Sequence, residues 1–123
     1  MAQILLVDDD QDLIEMNRTV FAQRGHNVKV AYSAAEATKS AQTNRPDLVL
    51  LDLMMPDIDG FEVTRRTRAN PATSHIPIIV VSARTQEADK LMAKQLGTNG
   101  YLTKPYRRAD LIAAIRICLP QPA

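Results

Sequence analysis

Asp8, Asp9 and Asp10 form an unbroken run of carboxylates. Asp52 stands inside the apolar stretch Leu48-Val49-Leu50-Leu51-Asp52-Leu53, and Ser82 and Lys104 each directly follow a short run of strand-type residues. Three carboxylates brought to one place repel one another unless a cation joins them. With no histidine or cysteine in the set, that cation is a hard, oxygen-preferring one, and Mg²⁺ is the natural choice. A metal, an ammonium and a hydroxyl gathered around one carboxylate suit the oxygens of a phosphoryl group. A carboxylate can itself act as a nucleophile and form an aspartyl phosphate. Asp52 is the candidate acceptor, because its apolar flanks fix its place and limit water. A buried carboxylate without a partner is costly, so its position calls for a reason.

The elements that must gather these residues are legible. Short apolar runs at Ile4–Val7, Val28–Tyr32, Leu48–Leu53, Ile78–Val81 and Tyr101–Thr103 alternate with longer amphipathic segments. The first, third and fourth are apolar throughout except for Asp52, as expected of parallel strands covered on both faces. Val28-Lys29-Val30 alternates and suits an edge strand. Helix one is expected from about Gln11 to Arg24, with Leu13, Met16, Val20 and Phe21 on one face and Gly25 at its stop. Ser33-Ala34-Ala35-Glu36 is a capping box for helix two, and Asp59-Gly60-Phe61-Glu62 has the same spacing ahead of helix three. Helix four is expected from about Gln86 to Leu96, ending at Gly97. Helix five begins near Arg108, turns Leu111, Ile112, Ile115 and Leu119 inward, and ends at Pro120 and Pro122. Strands alternating with helices imply an α/β fold: a doubly wound five-stranded parallel sheet with helices on both faces, joined by right-handed crossovers. Ligands of such sheets bind at the carboxyl ends of the strands. Those ends are where Asp8–Asp10, Asp52, Ser82 and Lys104 fall, whereas Ser33, after strand two, is used up as a cap.

Composition sets the frame. A chain of 123 residues with 46% apolar side chains forms one domain over residues 1–123, with 120–123 a tail or the start of a linker. The formal net charge of +1 gives no argument for nucleic-acid or membrane binding. The start of the chain lacks a basic lead, and its apolar run is too short for a signal peptide or a membrane span. The single cysteine, Cys118, has no internal partner, which fits a reducing cytoplasm.

Ile4-Leu5-Leu6-Val7-Asp8-Asp9-Asp10, Leu51-Asp52-Leu53-Met54-Met55-Pro56-Asp57, Val81-Ser82-Ala83 and Tyr101-Leu102-Thr103-Lys104-Pro105 together resemble the receiver domain of bacterial two-component response regulators, of the chemotaxis-regulator type. The likeness runs from Gln3 to about Leu119. It implies the flavodoxin-like strand order 2-1-3-4-5, which patterning alone does not yield. It also implies roles. Asp52 would be the phosphoacceptor. Asp8 and Asp9 would hold Mg²⁺ beside Asp52, Asp9 being the better placed to touch the ion and Met54 adding its backbone carbonyl. Ser82 would be the hydroxyl that follows the phosphoryl group, Lys104 would pair with the phosphate and precede a cis proline, and Tyr101 would be the aromatic rotamer switch. The donor would be a sensor histidine kinase or phosphotransfer protein, and the output surface would be helix four, strand five and helix five, where a second copy could also pair. The downstream target is not readable. Three rivals fit less well. A haloacid-dehalogenase-like phosphohydrolase needs an aspartate where Met54 stands. A nucleotide or flavin binder needs a glycine- or hydroxyl-rich loop where Asp8-Asp9-Asp10 stands. An interaction module without phosphorylation leaves the acidic set, Ser82 and Lys104 unexplained.

Plainer readings suffice for the remaining residues. Asp10 is expected to cap helix one or to be solvated, rather than to belong to the site. Met54 and Met55 read as gap-filling apolar side chains. His26 and His75 read as solvated, and Cys118 as a small hydrophobe on the inner side of helix five. Arg65-Arg66 and Arg107-Arg108 read as solvated helix faces.

Overall fold

A computed structural model describes residues 2–53, 60–83 and 87–119. Ten elements alternate along the chain: β1 Gln3–Val7, α1 Gln11–Gln23, β2 Asn27–Ala31, α2 Ala34–Asn44, β3 Leu48–Asp52, α3 Gly60–Ala69, β4 Ile78–Ser82, α4 Glu87–Gln95, β5 Gly100–Thr103 and α5 Arg108–Cys118. The strands form one parallel sheet in the order β2-β1-β3-β4-β5.

Alternation within each strand sends side chains to two cores. On one face Leu5, Val7, Val49, Leu51, Ile78 and Val80 meet Ala37 and Ala41 of α2, Val63 of α3 and Ala93 of α4. On the other, Ile4, Leu6, Leu48, Leu50, Ile79 and Val81 meet Ile14, Val20 and Phe21 of α1 and Leu111 and Ile115 of α5. β3 and β4 are buried along their whole lengths, which is why they read as continuous apolar runs. β2 lies at an edge and alternates between exposed and half-buried positions before Ala31, as its sequence implies.

Helix ends follow local chemistry. The Asp10 side chain caps α1 by accepting the Leu13 N–H at 3.2 Å, in line with expectation. Beyond the end of α1, Gly25 takes φ +81°, a conformation glycine adopts without Cβ strain. Ser33 caps α2 through the Glu36 N–H at 3.1 Å, but the returning Glu36 carboxylate takes the Tyr32 N–H at 2.8 Å instead of that of Ser33. Asp59, ahead of α3, and Gln86, ahead of α4, lie outside the described residues.

Three further expectations need adjustment. The centre of the buried face of α1 is Ile14 and Asn17 with Val20 and Phe21, while Leu13 and Met16 flank it half-buried. Tyr32 lies past the end of β2 and is 49% exposed. His26 is not simply solvated. Its Nδ1 accepts the Ala2 N–H at 3.0 Å, its ring stands edge-on to Phe21, and partial burial lowers its pKa. Arg65 and Arg66 are exposed and paired with Glu62, as befits a solvated face. Cys118 packs half-buried against the α1/α5 core.

Candidate phosphoryl-acceptor site

Parallel pairing sets the levels of the site residues. Val7 is opposite Leu51, so the residues that follow, Asp8 and Asp52, leave β1 and β3 side by side. Asp52 is opposite Val81, and Ser82 is opposite Thr103, so Ser82 and Lys104 come off the next two strands at the same edge. The Lys104 N–H donates to the Ser82 carbonyl at 2.8 Å and extends the ladder one residue past β5.

The side chains converge. The Lys104 ammonium donates to Asp52 Oδ2 at 2.7 Å and lies 3.7 Å from Asp8 Oδ2. Asp8, Asp9 and Asp52 each present an oxygen within 4.8 Å of the others. Asp8 and Asp52 are only 2% and 3% exposed, whereas Asp9 is open to solvent, so the site is a buried pair with one solvent-facing carboxylate at its mouth. Ser82 is fully buried at the end of β4. Met54 lies outside the described residues. Tyr101, on β5, is half-buried against the α2/α3/α4 core, close in sequence to Lys104 but on the strand itself.

Electrostatics make the site reactive toward cations. Burial pushes the Asp8 carboxyl from 3.8 up to about 6; the Asp10 N–H at 3.0 Å and the Lys104 charge pull against this, and the charge on Asp52 adds to it. Burial alone would lower the Lys104 pKa, but its hydrogen bond to Asp52 and the charges of Asp8 and Asp52 outweigh burial and raise it. One ammonium therefore faces three carboxylates. The donor set is all oxygen and carries excess negative charge, which fits a hard divalent cation.

A family model described as response regulator receiver domain matches residues 4–116. The chain belongs to the response regulator receiver family. Like PilH of Pseudomonas aeruginosa, with which it is 36% identical over 119 residues (97% of this chain, 98% of PilH), the receiver fills nearly the whole match. It spans about half the length of other relatives, such as the transcriptional regulatory protein PhoP of Bacillus subtilis, at 33% identity and 48% of PhoP. Among solved structures, the chemotaxis protein CheY4 of Vibrio cholerae superposes with a TM-score of 0.90 at 29% identity, covering 97% of this chain and 99% of CheY4. The receiver domain of the sensor histidine kinase PA1611 of Pseudomonas aeruginosa superposes at 0.83 with 31% identity, covering 95% and 97%, and holds a magnesium ion in its active-site cleft. The receiver is thus a phosphoacceptor module of two-component signalling. No described helix is long and apolar enough to cross a membrane.

Two residues that pattern reading passed over stand out in this receiver. Tyr106, two residues beyond Lys104 and after the cis Lys104-Pro105 bond, is 7% exposed and donates its hydroxyl to Asn17 Oδ1 at 3.1 Å. Burial, with the nearby Asp8 and Asp52 charges adding to it, pushes its phenol up to about 12, so it stays protonated. Arg68, at the far end of the sheet, donates from Nε and Nη2 to the Gly97 carbonyl, from Nη1 to the carbonyls of Ser74 and Ile76, and from Nη2 to Asn99 Oδ1. The only sequence signal for Asn17 is a polar residue in the middle of an apolar helix face. For Arg68 there is none, because three of its four acceptors are backbone carbonyls.

Proposed function

We propose that Asp52 is the residue that accepts the phosphoryl group, in a Mg²⁺-dependent transfer from the phosphohistidine of a sensor kinase or phosphotransfer protein. The observation that carries this reading is the Lys104 ammonium 2.7 Å from Asp52, with Asp8 and Asp9 oxygens close enough to share one cation with it. Asp52 attacks phosphorus through a carboxylate oxygen; an O–P bond forms, the P–N bond to the donor imidazole breaks, and the imidazole nitrogen keeps the electron pair. Asp8, Asp9 and Asp52, with the Met54 carbonyl, would hold Mg²⁺, which when bound offsets carboxylate charge and screens the incoming phosphoryl oxygens. Lys104 leaves its pairing with the Asp52 oxygen to pair with a phosphoryl oxygen, and the Ser82 hydroxyl donates to another. The chain catalyses no reaction beyond forming and losing its own aspartyl phosphate, and it works in the cytoplasm; residues 1–123 make up a single receiver domain, with 120–123 a tail or the start of a linker.

The output is a surface. Movement of Ser82 toward the phosphoryl group frees space beside β5, Tyr101 turns further inward, and the face made by α4, β5 and α5 changes for a kinase, a target or a second copy. Incubation with Mg²⁺ and acetyl phosphate followed by intact mass tests the acceptor: one phosphoryl adduct is expected on the wild type and none on Asp52→Ala. An equal adduct on the alanine variant would move the acceptor elsewhere. In the same phosphorylated state, amide NMR shifts are expected to extend along α4 and β5 to Tyr101; shifts confined to the loops after β1, β3 and β5 would remove the switch and leave the acceptor standing.

A further inference from the structure

Asn17 is fully buried on the face of α1 that also carries Ile14, Val20 and Phe21. Among the described residues its Nδ2 has no hydrogen-bond partner, and its Oδ1 takes the Tyr106 hydroxyl at 3.1 Å across 89 residues of sequence. Packing alone favours leucine at such a position, because an amide donor without an acceptor is a standing cost to the folded state. Among the described residues, the one side-chain hydrogen bond this amide makes is to Tyr106.

Tyr106 in turn belongs to the short segment that carries Lys104. That segment is tethered on one side to β4, where the Lys104 N–H meets the Ser82 carbonyl, and on the other to α1, where Tyr106 meets Asn17. Helix α1 grows directly out of the acidic loop: Asp10 is its cap, and the Asp10 N–H donates to Asp8 at 3.0 Å. The Asn17–Tyr106 bond therefore spans the two bodies whose charges must meet, the loop holding the carboxylates and the loop holding the ammonium. A lysine side chain has four rotatable bonds, and its ammonium is placed only as well as its backbone is.

We infer that Asn17 and Tyr106 form a positioning pair for phosphoryl transfer, fixing the Lys104 backbone against the helix that leads out of Asp8–Asp10 so that the ammonium meets the group arriving at Asp52. The inference rests on the acceptor role proposed above. Neither residue touches the reacting atoms; both act through Lys104.

The test replaces the pair with apolar side chains of similar size. Asn17→Leu and Tyr106→Phe are made singly and together, and each protein is assayed at a temperature where circular dichroism shows it fully folded. Removing both polar groups leaves no orphaned partner, so the double variant is expected to melt above either single variant. The phosphorylation rate is then read by intact mass over acetyl phosphate and Mg²⁺ concentrations. The expected result is a maximal rate at least fivefold below wild type in the double variant, with the Mg²⁺ concentration for half-maximal rate shifted less than twofold, because Asp8, Asp9 and Asp52 are untouched. A double variant with the wild-type maximal rate would reduce the pair to a packing feature and overturn the inference. Equal losses in rate and in Mg²⁺ response would also overturn it, since general loosening of the site moves both. Failure of the wild type to take up a phosphoryl group is a separate result, which removes the acceptor role and this inference with it.

Discussion

At the carboxyl end of the sheet three carboxylates share a cleft with one ammonium, and the buried Asp8 has its pKa raised by desolvation to about 6. At the amino end a single guanidinium, that of Arg68, makes five hydrogen bonds that engage its N–H groups with four acceptors on the segments leading into β4 and β5. Both ends hold charged groups, but the guanidinium is met by neutral oxygens, whereas three carboxylates gather around one ammonium. The amino end closes gaps: Arg68 satisfies carbonyls that the strands leave behind, and Asn99 Oδ1, which takes one of its donors, also accepts the Ile78 N–H at 2.9 Å at the start of β4. The carboxyl end keeps an excess of negative charge, which a hard divalent cation would offset. Satisfied hydrogen bonds gather at one end and like charges at the other, as expected for a site held in shape by the rest of the fold.

The comparison breaks most readily at Arg68. Arg68→Met keeps much of the stem's packing but strands the carbonyls of Ser74, Ile76 and Gly97, and is expected to cost about 3 kcal/mol in urea unfolding. Phosphorylation of the folded protein should be unchanged. A variant of wild-type stability would show that water replaces the guanidinium without loss, and the amino end would lose its role as the stabilising counterpart.

Asp8 offers the opposite experiment. Its folded pKa, about 6, lies above the ordinary 3.8, so between those values the folded chain holds a proton that the unfolded chain has released. Ionised Asp8 therefore opposes folding above about pH 6, and that opposition fades as pH falls through 6 toward 4. In metal-free buffer, Asp8→Asn should stabilise the protein by about 1–2 kcal/mol at pH 8, part of the gross effect being offset by the partner Lys104 loses. The gain should disappear near pH 4. Adding Mg²⁺ should reverse the order, because only the wild type keeps its full carboxylate set. A gain that persists unchanged at pH 4 would place its origin outside the charge on Asp8.

The smallest effect compares two glycines. Gly25 and Gly97 have similar positive φ values, +81° and +89°, but a Cβ on Gly25 meets open space, whereas one on Gly97 comes within 3.1 Å of Arg68 Nε. Gly25→Ala should cost about 1 kcal/mol from backbone strain alone. Gly97→Ala should cost roughly 1 kcal/mol more by disturbing Arg68, a difference measurable in thermal melts. Equal costs would mean that the guanidinium shifts freely and that the amino end is less tightly organised than its hydrogen bonds imply.

Much of this receiver was legible residue by residue. The continuous runs of β3 and β4, the alternation of β2, the caps at Asp10 and Ser33 and the stop at Gly25 all express forces that act within one element: burial on two faces, burial on one, and the unmet N–H groups of a helix start. The site residues were legible for a related reason. A parallel sheet sends every strand's carboxyl end to one edge, so Asp8, Asp52, Ser82 and Lys104 are neighbours in space by virtue of where each sits on its own strand. What the chain could not announce were the bonds whose partners are remote. Asn17 needs Tyr106, Arg68 needs carbonyls from Ser74 to Gly97, and His26 needs the Ala2 N–H. Each is polar, and in sequence a polar residue reads as exposed. Only packing removes water from around it, and only then does it matter which distant group supplies the missing hydrogen bond. The sequence alone determined which residues reach the reactive edge; the tertiary structure decided which of its buried polar groups became anchors, because that choice depends on what dehydrates them and what lies within hydrogen-bond reach once they are dry.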